Sequence, residues 1–261
     1  MGAFRDQHFL TDTNAVNRIA DAIPVAGRTV LEIGPGGGVL TDALLRRGAV
    51  VHAVELDSAL LPNLNRRFSK ELEEGNLTIT LGDASKVPLP PFELVAANLP
   101  YSISSKITFR LLSVGFEQAV LMYQLEFAKR MAAAPGTSDY GRLSVTVQAL
   151  ADVQMILKLP PHAFSPAPDV WSAVVIVTPK TPEIPIRDRT VFENLVRELF
   201  SQRRKTISNG IKGLIPIYGK EAVSAFVSSL DADLLKKRPE AIPVTGFIEL
   251  SNTLCSYVGT I

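Results

Sequence analysis

The sequence predicts an α/β fold, a parallel sheet wound by helices and followed by a small C-terminal α-helical domain. Three observations predict it. Apolar runs bounded by turn residues alternate with helical periodicity through the first two thirds of the 261 residues. A glycine-rich turn, "EIGPGGGVL", sits directly after the first apolar run and before a helical stretch. Three prolines in "PKTPEIPIRDR", Pro179, Pro182 and Pro185, then interrupt regular structure, and only helical spacing follows. The expected division is residues 1–180 and 181–261.

The elements follow in order. "TVLEI" (29–33), "VVHAVEL" (50–56), "LTITL" (77–81) and "LVAAN" (94–98) read as strands, with helical stretches between the first three. That is the βαβ pattern of a parallel sheet. Further strands are expected at "QAVLMY" (118–123), "VQMILKL" (153–159) and "WSAVVIVT" (171–178), and helices around "EFAKRMAA" (126–133) and "RLSVTVQALA" (142–151). "APGTSDYG", between those helices, is rich in Gly, Pro and Ser and is expected to be a mobile surface loop. Beyond the linker, Val191, Leu195, Val196 and Leu199 recur at helical spacing.

Composition narrows the function. A 46% hydrophobic chain of this length buries a substantial core. The net charge of +1 excludes a strongly basic nucleic-acid binder, although residues 180–261 are net basic and the rest net acidic. One cysteine, Cys255, makes neither an intramolecular disulfide nor a cysteine metal cluster. No apolar run reaches spanning length and the first residues lack a signal-peptide core, so a cytoplasmic protein without a membrane is expected.

Gly34, Gly36 and Gly38 fall on alternate positions after Glu32, whereas a dinucleotide fingerprint needs its third glycine at the next position, Val39. The alternating pattern resembles the first motif of S-adenosylmethionine-dependent methyltransferases; a nicotinamide site and a purely structural tight turn stay open on spacing alone. Three polar residues sit where further strands end, on the edge where open α/β sheets bind ligands. Glu55 can accept from both ribose hydroxyls, unless it is only a solvated strand end. Asp83 can accept from an adenine amino group. Asn98 begins "NLPYSISSK". There its side-chain oxygen and the Pro100 carbonyl could orient an adenine amine, a poor nucleophile, toward a sulfonium methyl, in an in-line displacement that needs no metal. Tyr101 would stack on the base, worth about 1–3 kcal/mol. A helix cap near Ser102 would explain Asn98 and Pro100 but not the tyrosine.

"QHFLTD", "EIGPGGGVLTDALL", "VELD", "GDA", "NLPYSISSKI", "FSPAPDVWSAVV" and "SQRRKTI" occur in this order between residues 7 and 209. Their order and spacing resemble the KsgA-type ribosomal RNA adenine dimethyltransferases. The resemblance implies a Rossmann-like class I S-adenosylmethionine-dependent methyltransferase fold and dimethylation of two neighbouring adenines in a hairpin near the 3′ end of small-subunit ribosomal RNA. The implied partners are that RNA and a pre-30S-type particle, met by a monomer that uses no metal. It further implies that Gln7, His8 and Leu10 close over the cofactor, that Gly34 and Glu55 meet its methionyl and ribose parts and Asp83 its adenine, and that Gly36, Leu56 and Ala84 also belong to the cofactor site. Asn98, Leu99, Pro100 and Tyr101 would form the reaction site, with Asn98 also beside the cofactor, and Phe164 would be the second aromatic wall for the target base. His8 departs from the family, whose members commonly carry Asn there; an imidazole still donates or accepts a hydrogen bond.

The target base must be unpaired or extruded, which a hairpin loop allows cheaply. Two cationic clusters, Arg203, Arg204 and Lys205, and Lys236, Lys237 and Arg238, are expected to meet the phosphates. The alternatives are a large-subunit adenine methylase of the macrolide-resistance type, whose members tend to be strongly basic, and a non-catalytic assembly factor, which would have no use for Asn98.

Overall fold

The computed structural model describes residues 8–259. In chain order the first elements are β1 (Phe9–Leu10), α1 (Thr13–Ala20), β2 (Thr29–Ile33), α2 (Val39–Leu45), β3 (Val50–Glu55), α3 (Leu61–Arg67), α4 (Ser69–Glu73), β4 (Leu77–Leu81), β5 (Leu94–Asn98), α5 (Ser104–Val114) and β6 (Gln118–Gln124). There follow α6 (Leu125–Met131), α7 (Arg142–Gln148), β7 (Ala151–Leu159), β8 (Phe164–Ser165) and β9 (Ser172–Pro179). The remainder is helical: α8 (Arg189–Ser201), α9 (Ile207–Gly210), α10 (Ile215–Tyr218), α11 (Lys220–Ser228), α12 (Ala232–Lys236) and α13 (Val244–Cys255), with short 3₁₀ turns between.

Residues up to Ala128 together with Asp152–Pro179 make one compact unit; Lys129–Ala151 and the residues from Lys180 onward make a second. The expected division at 180/181 therefore misplaces the segment 129–151. Its Ala133, Tyr140, Val145 and Ala149 share one apolar cluster with Val191, Leu195, Leu199 and Phe247, long-range packing that composition does not announce. "APGTSDYG" is a surface loop, as expected, with residues 134–139 exposed, but it is pinned at two places. Tyr140 is fully buried and its hydroxyl donates to the Ile242 carbonyl at 2.9 Å, while the Gly136 N–H donates to the Glu240 carbonyl at 2.7 Å.

The first unit holds a seven-stranded sheet in the order β4-β3-β2-β5-β6-β9-β7. Neighbours from β4 to β6 are parallel, and β9 runs antiparallel to β6. Parallel strands are covered on both faces, which is why β5 and the body of β6 read as apolar runs rather than alternating ones. The strand order reverses between β2 and β5, and ligands of open α/β sheets bind at the carboxyl ends beside such a reversal. The register Ile33↔Ala97 sets Gly34 beside Asn98 there, close enough that a Cβ on Gly34 would lie 3.7 Å from the Asn98 carbonyl oxygen. Gly38 begins α2 with φ +78°, and a Cβ there would meet the Phe68 ring at 2.5 Å; only glycine fits. A second, two-stranded pairing joins β1 to β8 with Leu10 opposite Phe164. Pieces this short carry no periodicity, so the sequence does not show them. No helix among the described residues is long and apolar enough to cross a membrane.

Candidate active site

One cleft at the carboxyl edge of the sheet is lined by His8, Leu10, Gly34, Gly36, Glu55, Asn98, Leu99, Pro100 and Tyr101, all expected from the sequence. The glycine loop engages its own amides. Gly34 N–H donates to the Val54 carbonyl (2.9 Å), Gly36 N–H to Glu55 Oε2 (3.1 Å) and Gly38 N–H to the Pro35 carbonyl (2.9 Å). A pyrophosphate needs such N–H groups aimed at it. Beside the loop, the cleft is lined instead by Glu55 at the end of β3 and by the buried Glu32 of β2; the Glu55 carboxylate is an acceptor suited to a ligand that carries hydroxyls and positive charge. S-adenosylmethionine, a sulfonium that also carries an ammonium, fits that chemistry. Glu55 accepts from Gly36 N–H and, through Oε1, from Asp57 N–H at 2.8 Å. A carboxylate has about four lone-pair sites, which leaves capacity for the ribose hydroxyls.

Glu32, at the next-to-last position of β2, is buried and accepts from the Thr41 hydroxyl at 2.7 Å. Burial pushes its carboxyl up to about 7, with the Glu55 charge adding to the rise and the Thr41 hydrogen bond opposing it. The folded protein thus holds a proton that the unfolded chain releases above its ordinary value of 4.5, so stability falls as pH rises from 4.5 to about 7. Glu32→Gln keeps the shape and removes the titration. Its stability relative to the parent, read from melting without cofactor, is expected to rise steadily across that window, by on the order of 3 kcal/mol at most; a difference independent of pH contradicts this.

Across the cleft, Asn98 Nδ2 donates to the His8 carbonyl at 2.9 Å. That bond fixes the amide's orientation and leaves Oδ1 as the acceptor. The Tyr101 hydroxyl bonds to Ser172 Oγ at 2.7 Å, and its ring lies 5.8 Å from the His8 ring, inclined by 29°. His8 in turn donates from Nδ1 to the Pro166 carbonyl at 2.9 Å. The Pro100 carbonyl differs from the expectation: it already accepts from Ile103 N–H (3.2 Å) and the Ser104 hydroxyl (3.3 Å). An incoming amine would share it, so more of the orienting falls to Asn98.

Four expected residues lie off this cleft. Leu56 is exposed at the end of β3; Asp83 and the buried Ala84 follow β4. Asp83 is pulled down to about 2, first by the adjoining Ser85 hydroxyl and amide and then by the Lys86 ammonium, so it stays ionised. Phe164 corrects the expectation of a second aromatic wall. Pairing of β8 with β1 buries it in the apolar core with Leu10 and Val16. Gln7 lies outside the described residues. In the second unit, Arg203 is tied to Glu240 (2.9 Å) and to the Thr137 carbonyl (3.2 Å), and Lys236 is paired with Asp233 (2.9 Å). Arg204, Lys205, Lys237 and Arg238 are exposed, and the Ile207 N–H bonded to the Lys237 carbonyl at 2.8 Å joins the two clusters. Ser172 and Thr41 escape a reading of the sequence, because a hydroxyl in an apolar run signals nothing until its partner is known.

Residues 4–244 match the family described as "Ribosomal RNA adenine dimethylase". The chain is 56% identical, over 98% of its length and 100% of the relative's, to a "Probable ribosomal RNA small subunit methyltransferase A" of Methanospirillum hungatei. Among solved structures it resembles a dimethyladenosine transferase from Plasmodium falciparum, with a TM-score of 0.79 and 30% identity over 93% of this chain and 96% of that one. It also resembles the 23S rRNA methyltransferase ErmE, with a TM-score of 0.65 and 27% identity over 94% and 99% of the two chains. The strand order, the acid-lined glycine loop and the oriented amide thus stand in a chain that belongs to the ribosomal RNA adenine dimethylase family.

Proposed function

We propose that the protein dimethylates N6 of two adjacent adenosines in a hairpin near the 3′ end of small-subunit ribosomal RNA, as a cytoplasmic monomer acting on a maturing pre-30S-type particle. The carrying observation is the Asn98 amide, turned by the His8 carbonyl so that an oxygen is left to accept, on a cleft whose other wall is acidic. When bound, S-adenosylmethionine supplies a methyl group on a positively charged sulfur. Gly34, Gly36 and Glu55 would hold it, with Asp83 at its adenine. Asn98 Oδ1 accepts a hydrogen from the target amine, which aims the nitrogen at the methyl and stabilises it as it becomes tetrahedral and positively charged. Tyr101, its hydroxyl held by Ser172, offers a ring face for the base. The small-subunit name of the 56% identical relative supports the choice of RNA. Incubation with labelled cofactor and unmethylated subunits should label small subunits; label confined to large subunits would favour the ErmE-like alternative.

The exposed cations Arg204, Lys205, Lys237 and Arg238 would meet backbone phosphates. Reversing Lys237 and Arg238 to Glu is expected to weaken particle binding about tenfold at moderate salt and to lower the salt slope by about one for each phosphate no longer neutralised. An unchanged salt slope contradicts their role.

A further inference from the structure

The turn after β4 is held from within by Asp83 and from α5 by an arginine. Asp83 Oδ1 accepts the Ser85 N–H at 2.8 Å, and the Asp83 carbonyl accepts from Lys86 N–H (2.7 Å) and Val87 N–H (2.9 Å). Two other carbonyls of the same turn, those of Ala84 and Val87, accept from Arg110, from Nη1 at 2.6 Å and from Nη2. Arg110 is half-buried on α5. That helix starts at Ser104, directly after the turn Tyr101–Ile103, and is fixed to the sheet by the buried pair Thr108 Oγ1 and Tyr123 hydroxyl at 2.6 Å. From Ser104 to Arg110 the helix rises by about 9 Å. One rigid element therefore carries the reaction-site motif at its start and the guanidinium at its middle. A planar guanidinium offers two fixed N–H directions, which a flexible ammonium does not reproduce.

We propose that Arg110 is a positioning residue that holds the Asp83 turn in register with the reaction-site helix, and thereby sets how strictly the enzyme selects an adenine ring in its cofactor. This rests on the reading of Asp83 as the acceptor for the adenine amino group. Without the fork, the Ala84 and Val87 carbonyls lose their common anchor and Asp83 no longer has one defined place relative to the cleft. A hydrogen-bonding site discriminates only while its acceptor is held in position.

The test compares binding of S-adenosylhomocysteine with its inosine counterpart, in which a carbonyl replaces the amino group, by titration calorimetry. The parent enzyme is expected to prefer the adenine form by about tenfold or more. Arg110→Ala should reduce that preference to about threefold or less, and Arg110→Lys should lie between, because one ammonium reaches both carbonyls only loosely. In turnover, Arg110→Ala should raise the cofactor KM with kcat within about twofold, the pattern of weaker binding with transition-state stabilisation intact. Equal weakening of both ligands, or an unchanged preference in Arg110→Ala, overturns the proposal; Arg110→Lys and Arg110→Gln give the same readout if the alanine variant does not fold. Asp83→Asn, which can donate to the inosine carbonyl, should reverse the preference. If it does while the Arg110 variants keep the parent's preference, Arg110 alone is wrong. If Asp83→Asn leaves the preference unchanged, the Asp83 reading fails and takes the proposal with it.

Discussion

Asn98→Ala is expected to cut methyl transfer by about 10²–10³-fold, or roughly 3–4 kcal/mol of transition-state stabilisation, the scale seen when one oriented polar group is removed from a reacting centre. The fall should appear in kcat. Cofactor affinity should change by no more than about threefold, because the Asn98 side chain gives its Nδ2 to the His8 carbonyl and leaves Oδ1 to the target amine. Single-turnover transfer to unmethylated small subunits at saturating cofactor separates the two effects. Near-parental turnover would remove the amide from the mechanism and leave the shared Pro100 carbonyl as the sole orienting acceptor.

Glu55→Ala should act on the other substrate. The carboxylate is buried, and its loss takes the acceptor from the buried Gly36 N–H as well as removing the part-buried bond to Asp57 N–H and the proposed ribose contact. Each buried donor left unpaired costs about 1–3 kcal/mol. Cofactor affinity is expected to fall by about 10²-fold, and the melting temperature to drop by several degrees. Glu55→Gln keeps the volume, but its NH₂ faces one of the two donors; it should lose about tenfold in affinity. Calorimetric titration with S-adenosylmethionine checks both, and parental affinity in the two variants would place the ribose elsewhere.

The legible parts of this protein are those where one residue type has one physical use. Strands β5 and β6 declare themselves because the centre of a parallel sheet, buried on both faces, needs apolar runs, and Glu55 and Asn98 declare themselves because a polar side chain closes a strand. The glycine loop is legible as a turn, but its acidic character emerges only from hydrogen bonds that engage the amides of Gly34, Gly36 and Gly38. Phe164 shows the opposite case. "FSPAP" does not say which way the ring points, and the two-residue pairing of β8 with β1 decides it for the core. The place of 129–151 depends on Tyr140 reaching Ile242, a contact spanning about a hundred residues that no local pattern reports. Glu32 is visible as the acid before the glycines, yet its raised titration is a consequence of burial beside Glu55.

Mapping the methylated nucleosides tests the central claim most directly. Small subunits lacking these methyl groups, incubated with the protein and labelled S-adenosylmethionine and then digested and sequenced by mass spectrometry, should carry N6,N6-dimethyladenosine at two adjacent positions near the 3′ end of the RNA. Label at any other atom or position, or none with an intact Asn98, would contradict an amide oxygen presenting an adenine amine to the sulfonium methyl.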